Sequence, residues 1–288
     1  MSTRQPMPRD TYRRALEIRR SQQCQAWQPI CVSDIVQNLG IDLRFVSANS
    51  LEGMYVKDRP ARIIIGAHRP PGRQAFTCAH ELGHHVFNHG TRIDEVGPVS
   101  KTQGWIDPNE MTANIFAGYL LMPKAAVDHG FSIRGWTVDN CTPIQALTVA
   151  GWLGVGYSTL VHHLAASLRC IGADQKQRLL RVAPKDIRRS VLPAGLAGNL
   201  TIVDCHWHGR AVDAWVGDFL LMPPSATTDA GYIRAIQRSE TNSFCECVSP
   251  GIAQFATADG EWSVFVRISR KEYSGRAEYR HLPEEDEA

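Results

Sequence analysis

The chain has no cysteine pair spaced C-x-x-C, no uninterrupted apolar run of eighteen residues, and almost no net charge. Each absence excludes something. Without C-x-x-C pairs a structural zinc ribbon has no framework. Without the apolar run nothing reads as a membrane-spanning helix. A formal charge of +2, from 31 basic and 29 acidic residues, gives no whole-chain field that would select nucleic acid or a membrane surface. The opening stretch MSTRQPMPRDTYRRALEIRR carries basic side chains but no apolar segment of the secretory kind, so a cytoplasmic location is expected. There, the eight scattered cysteines are expected as reduced thiols, most of them buried.

What is present suits a globular protein of two or three domains, at 288 residues with 43% hydrophobic and 21% charged side chains. Residues 8–22 read as a helix with Tyr12, Ala15, Leu16 and Ile18 inward, and Val32 to Leu39 as a short helix ended by Gly40. Strands are expected at 41–46, at 54–56 and at 62–65, the last rich in β-branched residues. A Pro/Gly loop from His68 then leads into a further helix, so this helix follows directly on a small sheet. An open edge of that sheet would accept an extended substrate strand by backbone pairing.

That helix holds His80-Glu81-Leu82-Gly83-His84, an H-E-x-x-H motif. Positions i and i+4 share one helical face, so His80 and His84 offer two imidazole nitrogens to one ion. Glu81 stands beside the first ligand, where its carboxylate can serve a water as base. The plainer reading is two core histidines on a buried helix, since Ala75, Phe76, Ala79, Leu82, Val86 and Phe87 form an apolar run around them. Gly83 costs about 1 kcal/mol of helix propensity relative to alanine, which points to close approach by another element. Asp107-Pro108 marks a second helix start, an N-cap followed by proline. Glu110, in its first turn, lies off the apolar face made by Ala113, Phe116, Ala117, Leu120 and Leu121. It either complements the helix dipole or supplies the third ligand; Asp107 is the competitor, and Glu110 is preferred. His85 and His89 are out of register as ligands, and Tyr119 is either a donor to the site or a packed aromatic. A Cys78 thiolate would occupy the water position only if i and i+2 pointed the same way, which a helix opposes.

Beyond Pro123, residues 143–164 read as two short helices around Leu153-Gly154-Val155, similar to a helix-turn-helix. The second helix carries Ser158, Thr159, His162 and His163 but no basic side chain, so a helical packing module competes with DNA binding. From Leu196 strands and Gly/Pro turns alternate, indicating a β-rich domain that ends in an acidic tail expected to be disordered. Cys205-His206-Trp207-His208 has no second ligand pair at suitable spacing and is placed at an exposed strand end. The expected organisation is α+β, with the H-E-x-x-H domain at 1–125, a helical, helix-turn-helix-like module at 126–192 and a β-rich domain, a candidate sensor, at 193–288.

With those residues identified, the N-terminal half resembles the ImmA/IrrE family of regulatory zinc metallopeptidases. The likeness rests on Gly53-Met-Tyr-Val, the Ile63-Ile-Ile strand, Arg73 to His84, and Glu110-x-x-Ala113-Asn114-x-Phe116-Ala117-x-x-Leu120-Leu-Met-Pro123. It covers roughly residues 30 to 125 and, more weakly, the helices to about 172. The resemblance implies a zincin-like domain with zinc (or manganese) on His80, His84 and Glu110, and Glu81 as general base. It also implies a helix-turn-helix-like segment and, as substrate, a helix-turn-helix repressor whose cleavage relieves repression under stress, mobile-element or defence induction. The rival expectation is a non-proteolytic regulator that binds a repressor or DNA around a structural or vestigial metal site.

Overall fold

The structure, a computed structural model, describes residues 8–95 and 107–283; the acidic tail at 284–288 lies outside the described residues. The first helix, α1 (Pro8–Ser21), turns Thr11, Ala15 and Arg19 inward. Arg19 reaches the end of a later helix and donates to the Leu120 carbonyl at 2.7 Å and the Gln25 carbonyl at 2.9 Å. A cation there satisfies carbonyls that the helix itself leaves unpaired. Tyr12, expected inside, is 39% exposed and packs edge-on against Tyr119.

The next elements are α2 (Val32–Asn38), β1 (Asp42–Val46), β2 (Leu51–Val56), β3 (Arg62–Gly66), α3 (Pro71–Val86) and β4 (Arg92–Glu95). Gly40 takes a φ of +73° just past α2, a left-handed turn that suits glycine. β1 and β3 run parallel, and β2 is antiparallel to both β3 and β4. β2 begins earlier than expected and shifts register between Leu51 and Gly53. β4 was not expected, because four residues of mixed polarity give no periodic signal.

Four helices follow the described gap closely: α4 (Pro108–Leu121), α5 (Lys124–Ser132), α6 (Pro143–Leu153) and α7 (Tyr157–Ala166). Pro123 ends α4 and also begins α5, which the sequence reading left out. A Thr142/Gln145 capping box opens α6, and Gly154, at a φ of +74°, turns the chain through 98° into α7. No single described helix is long and apolar enough to cross a membrane. Then come α8 (Ala173–Leu180) and α9 (Pro184–Val191).

The rest is β-rich: β5 (Leu200–Ile202), β6 (Val212–Trp215), β7 (Phe219–Met222), β8 (Ile233–Arg238), β9 (Ser243–Cys247), β10 (Gly251–Ala256), β11 (Ser263–Ser269) and β12 (Gly275–Arg276). Two sheets form there, in orders β10-β11-β6 and β5-β7-β9-β8. β12 leaves them and pairs with β1, giving the first sheet the order β12-β1-β3-β2-β4. A continuous buried cluster runs from Ala15 and Ile35 through Leu82, Phe116 and Leu153 to Val212, Val266 and Ala277. The β-rich part therefore shares its core with the helices beneath the metal motif.

Candidate metal centre

Two helices and one strand position the centre. α3 lies on β2 and β3, and its residues from Thr77 to His84 are all buried. α4 packs along α3, and Gly83 sets the spacing: a Cβ there would stand 3.0 Å from Ala113 Cα and 3.2 Å from Phe116 Cδ1. The glycine thus lets α4 approach closely enough for its first turn to reach the H-E-x-x-H face. Asp107 caps α4, its side chain accepting from the Asn109 amide at 2.8 Å. Glu110 follows one turn in and points back at the two histidines.

The donor atoms converge. His80 Nε2 and His84 Nε2 are 3.0 Å apart, His80 Nε2 lies 3.1 Å from Glu110 Oε2, and His84 Nε2 lies 3.4 Å from Glu110 Oε1. A tetrahedral ion with bonds of about 2.0–2.1 Å needs donor separations of about 3.3 Å. Three donors, two imidazoles and one carboxylate, therefore already stand near the corners that such an ion requires. Glu81 supplies the second mark of fit. It is fully buried, and neither carboxylate oxygen has a hydrogen-bond partner. A buried carboxylate without partners is costly, so a site that keeps one is built around something it receives.

The cluster's own field favours a cation. Burial, the largest single influence on His80, works to lower its pKa; hydrogen bonds to Asp94 and Glu110 overcome this and push it up to about 10. Hydrogen bonds from His80 and His84 hold Glu110 well below the usual carboxylate range. Burial pushes the Glu81 carboxyl up to about 8; His80 opposes this, and Asp94 and Glu110 add to it. One carboxylate held ionised beside one raised toward neutrality is the separation that acid–base work requires.

Outer partners orient both imidazoles. His80 Nδ1 donates a hydrogen bond to Asn114 Oδ1 at 3.1 Å, which turns Nε2 toward the other donors. His84 Nδ1 meets His89 Nδ1 at 3.0 Å. Burial pushes the His89 imidazole down to about 4, so it stays neutral and can accept from His84. Asn114 and His89 are thus supporting residues; His89 had been set aside on register as a ligand, and this role lay outside that test. A further residue was missed altogether. Asp94 on β4 places Oδ2 3.3 Å from His80 Nε2, and its donor atom lies within 4.8 Å of donors on both His80 and Glu81.

The remaining sequence candidates lie elsewhere. His85 Nδ1 pairs with the Tyr55 hydroxyl at 3.0 Å, and Tyr119 is packed edge-on to Tyr12 and His163. Cys78 turns into the core beside Cys31 and Phe45, and burial pushes its thiol far up. His206 and His208 line a cleft of about 370 Å³ with Trp27, His129 and Trp152, but no three donors converge there among the described residues.

Comparisons with known proteins give two findings. A peptidase M78 family model, described as an IrrE N-terminal-like domain, matches residues 36–165. This covers β1 to α7, so it includes every residue of the centre described above. No curated protein matches the chain. A solved structure of a Mycobacterium tuberculosis transcriptional regulator is 16% identical over 58% of this chain and 55% of that one, with a TM-score of 0.35. The chain spans about half the length of that structure, and likeness at this level carries no argument. Residues 36–165 thus match the M78 peptidase family's IrrE N-terminal-like domain, the stretch that carries the whole donor cluster.

Proposed function

We propose that this chain is a zinc-dependent metalloendopeptidase of the cytoplasm that cleaves a helix-turn-helix repressor, relieving repression in a stress, mobile-element or defence response. One observation carries the catalytic part: three converging donors stand beside a fully buried carboxylate whose oxygens have no partner. His80, His84 and Glu110 would hold the ion, and their mixed nitrogen and oxygen set suits zinc, with manganese as the alternative. A divalent ion there supplies Lewis acidity toward a water and a peptide carbonyl.

Glu81 does the proton work. Its raised pKa makes it a competent base near neutral pH, able to take a proton from water and return it to the leaving amine. Asn114 and His89 keep the two imidazoles in the tautomers that present Nε2. Gly53 on β2 leaves room for the Glu81 carboxylate, since any Cβ there would collide with it. The zincin-like description fits this sheet-plus-helix arrangement, with β2 as the strand lying under the base.

The resemblance to the ImmA/IrrE family supports a repressor as the substrate. The α6–α7 pair has a helix-turn-helix-like angle, yet α7 buries Tyr157, Leu160, Val161, His163 and Leu164 and exposes only Ser158, His162 and Ala166. With no lysine or arginine on its outer face, we take it as a packing or repressor-docking module rather than a reader of DNA. The test is incubation of the purified chain with small helix-turn-helix repressors encoded beside it. Defined fragments are expected with zinc or manganese and none after EDTA. Repressor release without fragments would replace the peptidase with a binding regulator.

A further inference from the structure

β4 stands where a substrate strand would be expected. Its backbone pairs antiparallel with β2, Gly53 opposite Asp94, Met54 opposite Ile93 and Tyr55 opposite Arg92. β2 is the strand whose Gly53 faces Glu81. The chain itself therefore occupies the edge beside the base, the edge to which an extended peptide would add.

The side chains reinforce this placement. Successive residues of a strand point to opposite faces. Ile93 is 58% exposed, whereas Asp94 turns inward to His80. Asp94 Oδ2 lies 3.3 Å from the same Nε2 atom that meets His84 at 3.0 Å and Glu110 at 3.1 Å. Its donor atom also lies within 4.8 Å of one on Glu81, and His80 is common to this group and to the one with His84 and Glu110. A water that gives its proton to Glu81 must approach the same neighbourhood. Two neighbouring carboxylates repel unless a cation is shared between them, so an ion on His80 would draw Asp94 in. The strand is short and its hold is light. Among the described residues, its ties beyond the pairing with β2 are the Asp94 contact to His80, a Thr91 hydroxyl that accepts from the Lys57 amide at 3.1 Å, and an ion pair between Arg92 and Asp107 at 3.6 Å.

Resting on the peptidase reading above, we propose that Asp94 is a fourth protein donor to the ion and that β4 fills the substrate strand's place. The described arrangement is then a latent form. An incoming strand that pairs with β2 must displace β4, and in doing so it withdraws Asp94 and frees one corner for solvent. Cleavage would be coupled to recognition of an extended segment, because a peptide unable to compete for the β2 edge leaves the corner closed.

Cobalt(II) reports the number and kind of its ligands through its visible absorption, and azide reports whether a corner is open. We expect the full-length chain loaded with cobalt to resist azide. Asp94→Ala should bind azide readily, with a changed spectrum and about tenfold weaker cobalt affinity. Asp94→Asn keeps the shape of the side chain and should show the same changes in smaller measure. Arg92→Ala, which leaves every donor in place, should raise azide affinity by loosening β4. Identical spectra and azide affinities in wild type, Asp94→Ala and Asp94→Asn would overturn the inference. Failure of the wild type to bind cobalt at all would instead remove the metal centre, and this inference with it. Proteolysis is a separate arm: with spectra as expected but no repressor cut by any variant, Asp94 remains a ligand and only the peptidase reading falls.

Discussion

Two buried ionic clusters in this chain are organised in opposite ways. Around Asp213 on β6, charge is fully answered. Arg267 Nε donates to Oδ1 at 2.9 Å and Nη2 to Oδ2 at 3.1 Å, and Arg280 adds a contact to Oδ1 at 3.3 Å. Arg267 also reaches Asp34 on α2 at 2.8 Å, tying the β-rich sheets to the N-terminal part. Around Glu81, charge is left unanswered: both oxygens are buried without hydrogen-bond partners while His80, Asp94 and Glu110 crowd near. Saturated clusters fix geometry, and unsaturated ones await a reactant. The same contrast appears in the acids themselves. Asp213 is held well below its ordinary range because the fields of Arg267, Arg280 and Arg210 outweigh burial. Glu81 is pushed up to about 8 because burial prevails.

The sharpest way to break this comparison is to exchange functional for structural loss. Glu81→Gln should lower the cleavage rate by about 10²–10⁴-fold. It should leave thermal stability unchanged or slightly raised, because it replaces a buried carboxyl whose oxygens have no hydrogen-bond partner and whose ionised form burial disfavours. Asp213→Ala should do the reverse. Stripping the partner from three guanidiniums should cost about 3 kcal/mol, at the low end for a buried pair because the Asp213 side chain keeps 24% of its exposure. Urea unfolding of the two variants measures both, and similar stability losses would erase the distinction.

A neutral group extends the test to pH. His163 on α7 is buried and donates from Nε2 to the Met122 carbonyl at 2.9 Å, and burial pushes it down to about 4. The unfolded chain binds a proton near pH 6.5 that the fold refuses. The contribution is therefore complete above pH 6.5 and is lost as pH falls through 6.5 toward 4, by about 3 kcal/mol. The urea midpoint should decline over that window, and His163→Asn should flatten the decline. Gly83→Ala should cost less stability than Asp213→Ala. Crowding against Ala113 and Phe116 costs about 1–3 kcal/mol, and the gain in helix propensity offsets about 1. Zinc affinity should nevertheless fall about tenfold, because Glu110 rides on the displaced helix.

What the sequence made legible was local. His80 and His84 share a helical face by arithmetic alone, and Glu110 stood out as a carboxylate off an apolar face in the first turn of a capped helix. Both readings need only one helix at a time. The bringing together of the two helices was legible as well, but through a glycine whose cost demanded a neighbour. Asp94 was not legible, because a four-residue strand with no hydrophobic alternation acquires its position from pairing with β2. Asp213 was hidden for a related reason: in Val212–Trp215 it is the polar member of an alternating strand, the usual mark of an outward residue. Its hydrogen-bonding partners come from β11 and from Arg280, more than fifty residues away in sequence, and only Arg210 is a near neighbour in the chain. β12 reaches β1 across more than two hundred residues with only two of its own, too few for any periodic signal. Pro123 misled in a simpler way, since a proline that stops one helix is also well placed to start the next.

The central claim is that side chains from α3 and α4 close on a single divalent ion. X-ray absorption at the zinc edge of the full-length, zinc-loaded chain tests it most directly. The account predicts one ion per chain in a nitrogen and oxygen shell at about 2.0–2.1 Å, with the outer scattering of two imidazoles, reduced to one by His84→Ala. A sulfur shell near 2.3 Å, or imidazole scattering that His84→Ala leaves unchanged, would contradict it.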